Sequence, residues 1–424
     1  MLSLFQCKHL TRIIGFCFQK GCTGALLFAY LIITSSLSLA NTNFPQINIA
    51  YKYDPNALVH CQYRLAASED SIHVYLKIDA AMGDLLEDYK LTYSLKGFYD
   101  SKSPHFQDSL NVADYLLVRD NGSYYLKVPL KREPNVNLLL LQINYNDIVY
   151  YFDILLENDF LAPSLVLMEE ARSIPVFDSY VPVDNRYRLI DSFDTSDTTI
   201  FYCYQYNHIF SPALPPMSTR VEEVDRALTI DSMFAISAHD HWTIRDEALY
   251  FIQEDTTTLR GIAYRGVPNY YPKYRRVEEL IEPLVYISTR SEMSKLSKAS
   301  DLKQALDKYW LELMKTPSRA KMMIKSYYDR IEAANAVFTT YKEGWKTDQG
   351  MIYALYGVPD EVYFDGEEEQ WIYKKNDGIS RVKFTFVKVK NIFTDRHFEL
   401  LRSKSYESFW FGNVELWRKG IKGL

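Results

Sequence analysis

The sequence predicts a multidomain protein in which two β-rich domains precede a C-terminal α+β domain. The chain has 424 residues, enough for two or three domains. Short apolar segments bounded by turn residues fill residues 47–156 and 187–287, whereas helical periodicity first appears after residue 300. The hydrophobic content of 47% allows sizeable cores, and the aromatic content of 15% favours β-structure.

The first 40 residues are typical of a secretory signal peptide. A basic region ends at Lys20, an apolar run covers residues 25–39, and Ser38-Leu39-Ala40 places small residues at the cleavage positions. We therefore expect an exported protein cleaved after Ala40. An uncleaved membrane anchor is the alternative, which the shortness of the run and its polar residues disfavour.

Charge and cysteine content limit the function classes. The net charge is −6, and removal of residues 1–40 leaves 45 basic and 54 acidic groups, which argues against a general nucleic-acid binder. The mature chain keeps Cys61 and Cys203. An oxidising compartment permits a disulfide between them. Their separation by 142 residues across two predicted domains favours two unpaired buried thiols instead.

Residues 43–158 have the pattern of an immunoglobulin-like β-sandwich. Residues 47–53 alternate in polarity like a strand, and further apolar segments follow at short, regular spacing with no helical period between them. Asp120-Asn121-Gly122 predicts a tight hairpin turn, because Asn-Gly readily adopts the positive φ angles required. Sandwich domains of this kind usually position and present other groups. The predicted strands after the first are 57–65, 73–80, 89–98, 115–118, 124–130, 138–145 and 148–155.

Residues 159–290 predict a second, less regular β-rich domain. Residues 160–183 show no sustained period, and proline-containing loops separate the apolar segments that follow. The predicted strands are 187–190, 199–206, 227–234, 248–253, 259–264 and 284–287.

Residues 291–424 predict an α+β domain with two helices, a short third helix and a β-hairpin. The long helices are expected at 302–314 and 319–341, where apolar residues recur with helical spacing. Thr347 or Asp348 is expected to cap the short helix, and Gly357 followed by Pro359 to end it. The hairpin strands are expected at 370–374 and 382–389, with Asn376-Asp377-Gly378 in the turn.

The stretch from Gly344 to Tyr373 resembles the signature of the GWxTD domain family, which occurs in exported proteins of Bacteroidota-type bacteria. It contains Gly344-Trp345-Lys346-Thr347-Asp348, then Tyr356-Gly357-Val358-Pro359-Asp360, then Trp371-Ile372-Tyr373. The resemblance covers roughly residue 300 to the C-terminus and implies a periplasmic or outer-membrane-associated protein. It supplies no catalytic residue and no cofactor. We therefore assign structural roles to the motif residues Gly344, Trp345, Thr347, Asp348, Gly357, Pro359, Asp360, Trp371 and Tyr373.

Three local clusters are candidate functional sites. The loop Tyr270, Tyr271, Tyr274, Arg275 and Arg276 is a candidate interaction surface, because Tyr and Arg are enriched where proteins meet. The alternative is a loop folded back onto the second β-rich domain. The acidic residues Asp365, Glu367, Glu368 and Glu369 are expected to form a solvated turn, with acid/base chemistry as the alternative. The histidines of His239-Asp240-His241 would share one face of a strand, but no third metal ligand is evident.

The sequence contains no phosphate-binding loop, nucleophile elbow, zinc-protease motif or dinucleotide fingerprint. We therefore expect a non-enzymatic interaction or scaffold protein of the cell envelope, acting in envelope or surface assembly with a protein partner. A looser resemblance to small two-helix, β-hairpin lipoproteins of outer-membrane assembly points the same way. The alternative is a periplasmic or surface protein that binds or hydrolyses glycans.

Overall fold

The computed structural model describes residues 43–81, 83–156, 163–194, 199–220, 228–238, 240–374 and 381–421. The predicted signal peptide, His239 and the predicted turn at 376–378 lie outside these ranges. Within them, no helix is both long enough and apolar enough to cross a membrane.

The N-terminal domain is the predicted sandwich. One sheet has the strand order β1-β2-β6-β5 and the other β4-β3-β7-β8. In immunoglobulin nomenclature, β1 to β8 are strands A, B, C, C′, D, E, F and G in that order. The two sheets are therefore the A-B-E-D and C′-C-F-G sheets of an immunoglobulin-type sandwich. A four-residue helix, α1 (Val112–Tyr115), precedes β5. The strands are β1 (Val59–Ala67), β2 (Ser71–Ala80), β3 (Tyr89–Lys96), β4 (Phe106–Ser109), β5 (Leu116–Asp120), β6 (Ser123–Lys131), β7 (Leu138–Tyr145) and β8 (Ile148–Leu155).

Strand β2 shows why the sandwich forms and how it joins the next domain. Ile72, Val74, Leu76 and Ile78 alternate along the strand, and all four are buried between the two sheets. Tyr75 points the other way and is buried in a separate cluster with residues of the second domain. Because side chains alternate between the two faces of a strand, one face of β2 packs in the sandwich core and the other contacts the second domain.

The second domain is also built from two packed sheets, ordered β10-β9-β12-β15 and β11-β17-β16-β13-β14. Strand β11 runs parallel to β17, whereas the other pairs are antiparallel. Cys203 is buried in this core and, like Cys61, is a free thiol. The strands are β9 (Leu165–Glu169), β10 (Ile174–Pro175), β11 (Tyr180–Pro182), β12 (Arg186–Asp191), β13 (Ile200–Tyr206), β14 (Ser232–Ser237), β15 (His241–Thr243), β16 (Leu249–Gln253) and β17 (Ile262–Val267).

The C-terminal domain packs helices against a four-stranded antiparallel sheet of order β18-β19-β20-β21. Its helices are α2 (Val277–Ile281), α3 (Arg290–Ser297), α4 (Leu302–Met314), α5 (Pro317–Phe338), α6 (Asp348–Tyr356) and α7 (Glu407–Arg418). The strands are β18 (Glu361–Phe364), β19 (Glu368–Lys374), β20 (Arg381–Lys388) and β21 (Phe398–Leu400). Single 3₁₀ turns cover Glu282–Tyr286, Gly344–Lys346 and Lys404–Tyr406.

Most predicted helices and strands of the C-terminal domain are confirmed, but two strands predicted for the β-rich domains are wrong. Residues 284–287 do not form a strand, because a 3₁₀ turn with Pro283 in its first turn covers Glu282–Tyr286. Residues 47–53 do not form a strand either: 3₁₀ helices cover Phe44–Gln46 and Ala50–Tyr53.

This N-terminal segment packs against the C-terminal domain. Phe44 and Ile49 are buried in the same core as the motif tryptophans. The backbone N–H of Ile49 donates to the Val362 carbonyl at 2.9 Å, and the Val362 N–H donates to Asn48 Oδ1 at 2.9 Å. Residues more than 300 positions apart therefore share one core.

Candidate functional site

The first two motif residues fit closely against the end of α5. A Cβ on Gly344 would lie 2.1 Å from the Ala334 carbonyl oxygen, so glycine is required there. Trp345 is fully buried, and its indole N–H donates to the Tyr274 hydroxyl at 2.8 Å. The Trp345 carbonyl accepts a 3.0 Å hydrogen bond from the Tyr286 hydroxyl. Both residues make structural contacts.

The last two motif residues start α6 and hold it in place. Thr347 is the N-cap, because its hydroxyl accepts a 2.9 Å hydrogen bond from the Gly350 N–H. Asp348 Oδ2 accepts from the Leu400 N–H at 2.8 Å, and the carboxylate forms an ion pair with Arg402. The motif thus ties α6 to β21.

The motif also contacts the second domain. The Ala213 N–H donates to the Lys346 carbonyl at 3.0 Å. Arg402, which pairs with Asp348, donates a 3.1 Å hydrogen bond to the Leu214 carbonyl. Lys346 of the motif and Arg402, the ion-pair partner of Asp348, therefore both hold the loop after β13 in place.

The remaining motif residues close the turn between α6 and β18. Gly357 has φ +90°, a conformation that side-chain-bearing residues rarely adopt, and its carbonyl accepts from the Tyr373 hydroxyl at 2.8 Å. Pro359 is buried, and Asp360 Oδ2 accepts from the Lys374 N–H at 2.7 Å. Burial raises the pKa of Tyr373 well above its usual range. With Trp371 fully buried as well, the signature is a packing and turn unit.

The candidate interaction loop folds inward rather than projecting into solvent. Tyr271 is buried and shares a hydrogen bond with the Thr339 hydroxyl, while Tyr274 accepts from Trp345. The Tyr270 hydroxyl donates to Glu279 at 2.9 Å, and Arg276 pairs with Glu247 and Glu279. The Arg275 guanidinium lies over the Tyr270 ring. The expectation of an exposed aromatic surface therefore does not hold for Tyr271.

The acidic cluster divides into a turn and one buried group. Asp365 accepts hydrogen bonds from the N–H groups of Glu367 and Glu368 at 3.0 and 2.8 Å, which forms the expected turn. Glu369 is different, with only 4% of its surface exposed. Because β19 begins at Glu368, Glu369 shares the inward face of the strand with Trp371 and Tyr373. The prediction of a solvated position is wrong for this residue.

Glu369 is held by three donors at one oxygen. Its Oε1 accepts from the Tyr53 hydroxyl at 2.6 Å, from Gln349 Nε2 at 3.0 Å and from the Trp371 indole N–H. Burial raises the pKa of the Glu369 carboxyl above its ordinary value, although the hydrogen bonds from Tyr53 and Trp371 act in the opposite direction. The carboxyl therefore retains its proton to a higher pH than a solvated glutamate.

Glu369 lines a cleft of about 430 Å³ where all three domains meet, which we name the junction cleft. This volume falls in the range of about 300–1,000 Å³ typical of small-molecule sites, which also favour domain interfaces. The N-terminal sandwich contributes His60, Gln62, Lys77 and Asp153, and the second domain contributes residues 178–180. The C-terminal domain contributes Ala336, Gln349, Glu369, Lys388, Arg396 and Phe398.

Asp153 is a second carboxyl group in the junction cleft, and its pKa is shifted in the opposite direction to that of Glu369. It forms an ion pair with Lys52, and its Oδ2 accepts from the Tyr99 hydroxyl at 2.8 Å. Burial acts to raise the pKa of Asp153, but the Lys52 ammonium and the Tyr99 hydroxyl outweigh it and hold that pKa below its usual value. Two carboxyl groups at one cleft whose pKa values are shifted in opposite directions are an arrangement that acid/base chemistry uses. Here both oxygens of Asp153 are already engaged.

Thiol and metal chemistry find little support in the described ranges. Cys61 lines the junction cleft, where burial raises the pKa of its thiol to about 12, so the nucleophilic thiolate is scarce at neutral pH. His241 Nδ1 lies 3.1 Å from Glu170. No group of three or more His, Cys, Asp or Glu side chains in the described residues is placed to hold a metal.

The fold and the signature define a multidomain β-rich protein with a C-terminal α+β domain. Residues 248–419 match the family model of the GWxTD domain, and the chain is a GWxTD domain-containing protein. The match begins within the β16 region, about fifty residues before the resemblance seen in the sequence. The comparison with curated proteins gave no match.

The junction cleft was not evident from the sequence, because its walls come from segments far apart in the chain. One signal was present: Glu369, Trp371 and Tyr373 alternate with the period of a strand, which places Glu369 on the face of two residues that were expected to be buried.

Proposed function

We propose that this protein is an exported, non-enzymatic interaction or scaffold protein of the bacterial cell envelope, acting in envelope or surface assembly. The observation that carries the proposal is that the GWxTD signature is used for packing and for contacts between domains. None of the nine motif side chains assigned from the sequence is left to perform chemistry. The GWxTD domain then serves to hold two β-sandwiches in a fixed arrangement.

Polar contacts between the domains support a rigid arrangement. Arg265 on β17 pairs with Glu343 at 2.8 Å, and both side chains are largely buried. Burial acts to raise the pKa of Glu343, but Arg265 and Lys346 outweigh it and lower that pKa. The Tyr63 hydroxyl of the first sandwich donates to Asp395 at 3.1 Å. These contacts join the C-terminal domain to each β-domain.

The proposed partner is another envelope protein, and nucleic acid is not expected as a partner. The predicted mature chain carries an excess of nine acidic groups, which a polyanion would repel. The predicted signal peptide supports a location in the periplasm or at the outer membrane.

Quantitative cross-linking of the tagged full-length chain in envelope fractions tests this proposal. We expect reproducible recovery of a specific envelope protein. A Trp345→Ala variant should lose that partner because its C-terminal domain is destabilised, while the exposed Phe411→Ala variant serves as the folded control. Failure to recover any envelope protein with the folded chain would contradict the proposal.

Glycan binding or hydrolysis is a second candidate function, favoured by one observation. Glu369 is a buried carboxyl with one oxygen left for a ligand in a cleft of ligand size. Hydrolysis of a glycosidic bond needs a proton donor and a carboxylate on either side of that bond. Product analysis with reducing-end labelled oligosaccharides separates binding from cleavage.

A further inference from the structure

The junction cleft has the features of a ligand site rather than of a packing defect. Half-buried aromatic side chains of Tyr63, Tyr180 and Phe398 line it together with amide and charged groups. The three hydrogen bonds to Glu369 all reach Oε1, so Oε2 is left without a donor among the described residues. A largely buried carboxyl group with one oxygen free of donors in the described part of the chain can therefore accept a hydrogen bond from a ligand in the cleft.

The acidic groups of the junction cleft are already engaged. Asp153 pairs with Lys52, and Asp79 lies 3.4 Å from the Lys77 ammonium. Asp178 Oδ1 accepts a 2.9 Å hydrogen bond from the Gln62 amide. The fourth acidic group, Glu369, accepts three hydrogen bonds at Oε1, and burial raises the pKa of its carboxyl.

Lys52 and Lys77 are the partners of two of these carboxylates, but three other basic side chains of the same cleft lack such partners in the described part of the chain. His60, Lys388 and Arg396 all line it, and none forms an ion pair with a carboxylate within the described part of the chain. Arg396 donates only a 3.3 Å hydrogen bond from its guanidinium to the Ser179 hydroxyl. In a chain whose net charge is negative, the side chains of Lys388 and Arg396 beside a ligand-sized cleft favour an anionic ligand.

We propose that the junction cleft binds an acidic oligosaccharide, with carboxylates of the sugar towards Lys388 and Arg396 and hydroxyl groups towards Glu369 and Gln62. The volume and the aromatic lining suit sugar rings better than a small inorganic anion. The mixture of amide, carboxyl and basic side chains provides both donors and acceptors for hydroxyl groups. This site goes beyond the proposed scaffold role, which cross-linking tests separately.

Titration calorimetry with defined hexasaccharides tests the proposal on the full mature chain. The acidic probes are hexagalacturonate and hexamannuronate, and the neutral comparators are maltohexaose and cellohexaose. We expect at least one acidic probe to bind with a millimolar or lower Kd. Its binding should weaken as salt is raised from 50 to 500 mM, because the contact is partly ionic. The neutral comparators should bind at least about tenfold more weakly.

Two variants locate the binding. Lys388→Gln combined with Arg396→Gln should weaken the acidic probe by about tenfold or more, a loss of about 1.4 kcal/mol. The matched control is Arg381→Gln with Lys383→Gln, which removes the same amount of charge from positions on β20 that lie outside the cleft. Ala336→Trp adds bulk at an exposed α5 position that lines the cleft and should abolish binding, whereas Met322→Trp on the same helix should not.

The proposal is overturned if neither acidic probe binds, if neutral probes bind equally well, or if the two cleft variants bind like their controls. Partner recovery by cross-linking is a separate measurement. The calorimetry can therefore disprove the ligand site without affecting the scaffold role, and cross-linking can disprove the scaffold role without affecting the ligand site.

Discussion

The indole N–H of Trp345 donates a 2.8 Å hydrogen bond to the hydroxyl of Tyr274, seventy-one residues earlier in the chain. This contact connects the tryptophan of the GWxTD motif to the aromatic loop that precedes α2. It explains why the loop lies inward, because a buried indole donor needs an acceptor.

Removal of that acceptor should destabilise the protein. Tyr274→Phe leaves the Trp345 donor buried and unpaired, so we expect a loss of about 1–3 kcal/mol in the free energy of unfolding. Urea unfolding followed by tryptophan fluorescence measures it. Tyr270→Phe is the matched control, since its hydroxyl donates to Glu279 near the surface and its loss should cost less than about 1 kcal/mol. Equal effects of the two changes would contradict the assigned role of Tyr274.

The Asp348–Arg402 pair should be strongly coupled. Asp348→Ala leaves the largely buried Arg402 without its carboxylate, and we expect a loss of about 3–5 kcal/mol. Asp348→Asn keeps an acceptor for the Leu400 N–H and should cost less. The Asp348→Ala, Arg402→Ala double variant should lose clearly less than the sum of the single changes.

An exposed ion pair is the control for these single and double variants. Lys303 and Asp307 pair on the surface of α4, where Asp307→Ala should change stability by less than about 0.5 kcal/mol. Additive effects at Asp348 and Arg402 would show that the two side chains do not act together.

The stability of the protein should depend on pH through Glu369. Its pKa is raised in the folded state by burial, so the folded state retains a proton that the unfolded state releases near the ordinary value of about 4.3. The stabilising contribution of Glu369 is therefore complete below that pH and is lost as pH rises towards the folded pKa. Each unit of pKa elevation corresponds to about 1.4 kcal/mol.

Glu369→Gln removes this titration while preserving a neutral side chain of the same shape. The variant should gain stability relative to the parent as pH rises from 4 to 7, as measured by urea unfolding at fixed ionic strength. Glu367→Gln in the adjacent turn is the control and should follow the parent. A pH-independent difference between Glu369→Gln and the parent would contradict the raised pKa of Glu369.

The mature N-terminus should be Asn41, because Ala40 closes the predicted cleavage site. N-terminal sequencing of protein from the envelope fraction decides between a cleaved signal peptide and a retained anchor. An intact Met1 would support the anchored alternative.

The sequence predicted those parts of the fold that depend on local periodicity. The strands at 138–145 and 148–155 and the helix at 302–314 agree with the structure at both ends, because strong apolar patterns are bounded by turn or capping residues. The short strands β9 and β21 were missed, since three to five residues carry too little periodicity. Residues 47–53 were misassigned because this segment packs against β18 through tertiary contacts.

The candidate site is formed by residues that lie far apart in the sequence. Most of it could therefore not be predicted from the sequence. The inward position of Tyr271 follows from its contact with Thr339, sixty-eight residues later. The environment of Glu369 includes Tyr53, more than three hundred residues earlier. Local composition favoured an exposed position for Tyr271 and a solvated one for Glu369. Both side chains are buried instead, because segments distant in the sequence pack over them.

Complementation of a deletion strain by Glu369→Gln most directly tests whether the protein works without chemistry at its buried carboxyl. Glutamine preserves the neutral side chain and its acceptor oxygen but cannot supply a proton for hydrolysis. For an interaction protein, we predict full complementation by a variant that is exported and accumulates at the parental level. Loss of function at parental abundance, with binding of the acidic hexasaccharide unchanged, would contradict the non-enzymatic account and favour glycan hydrolysis.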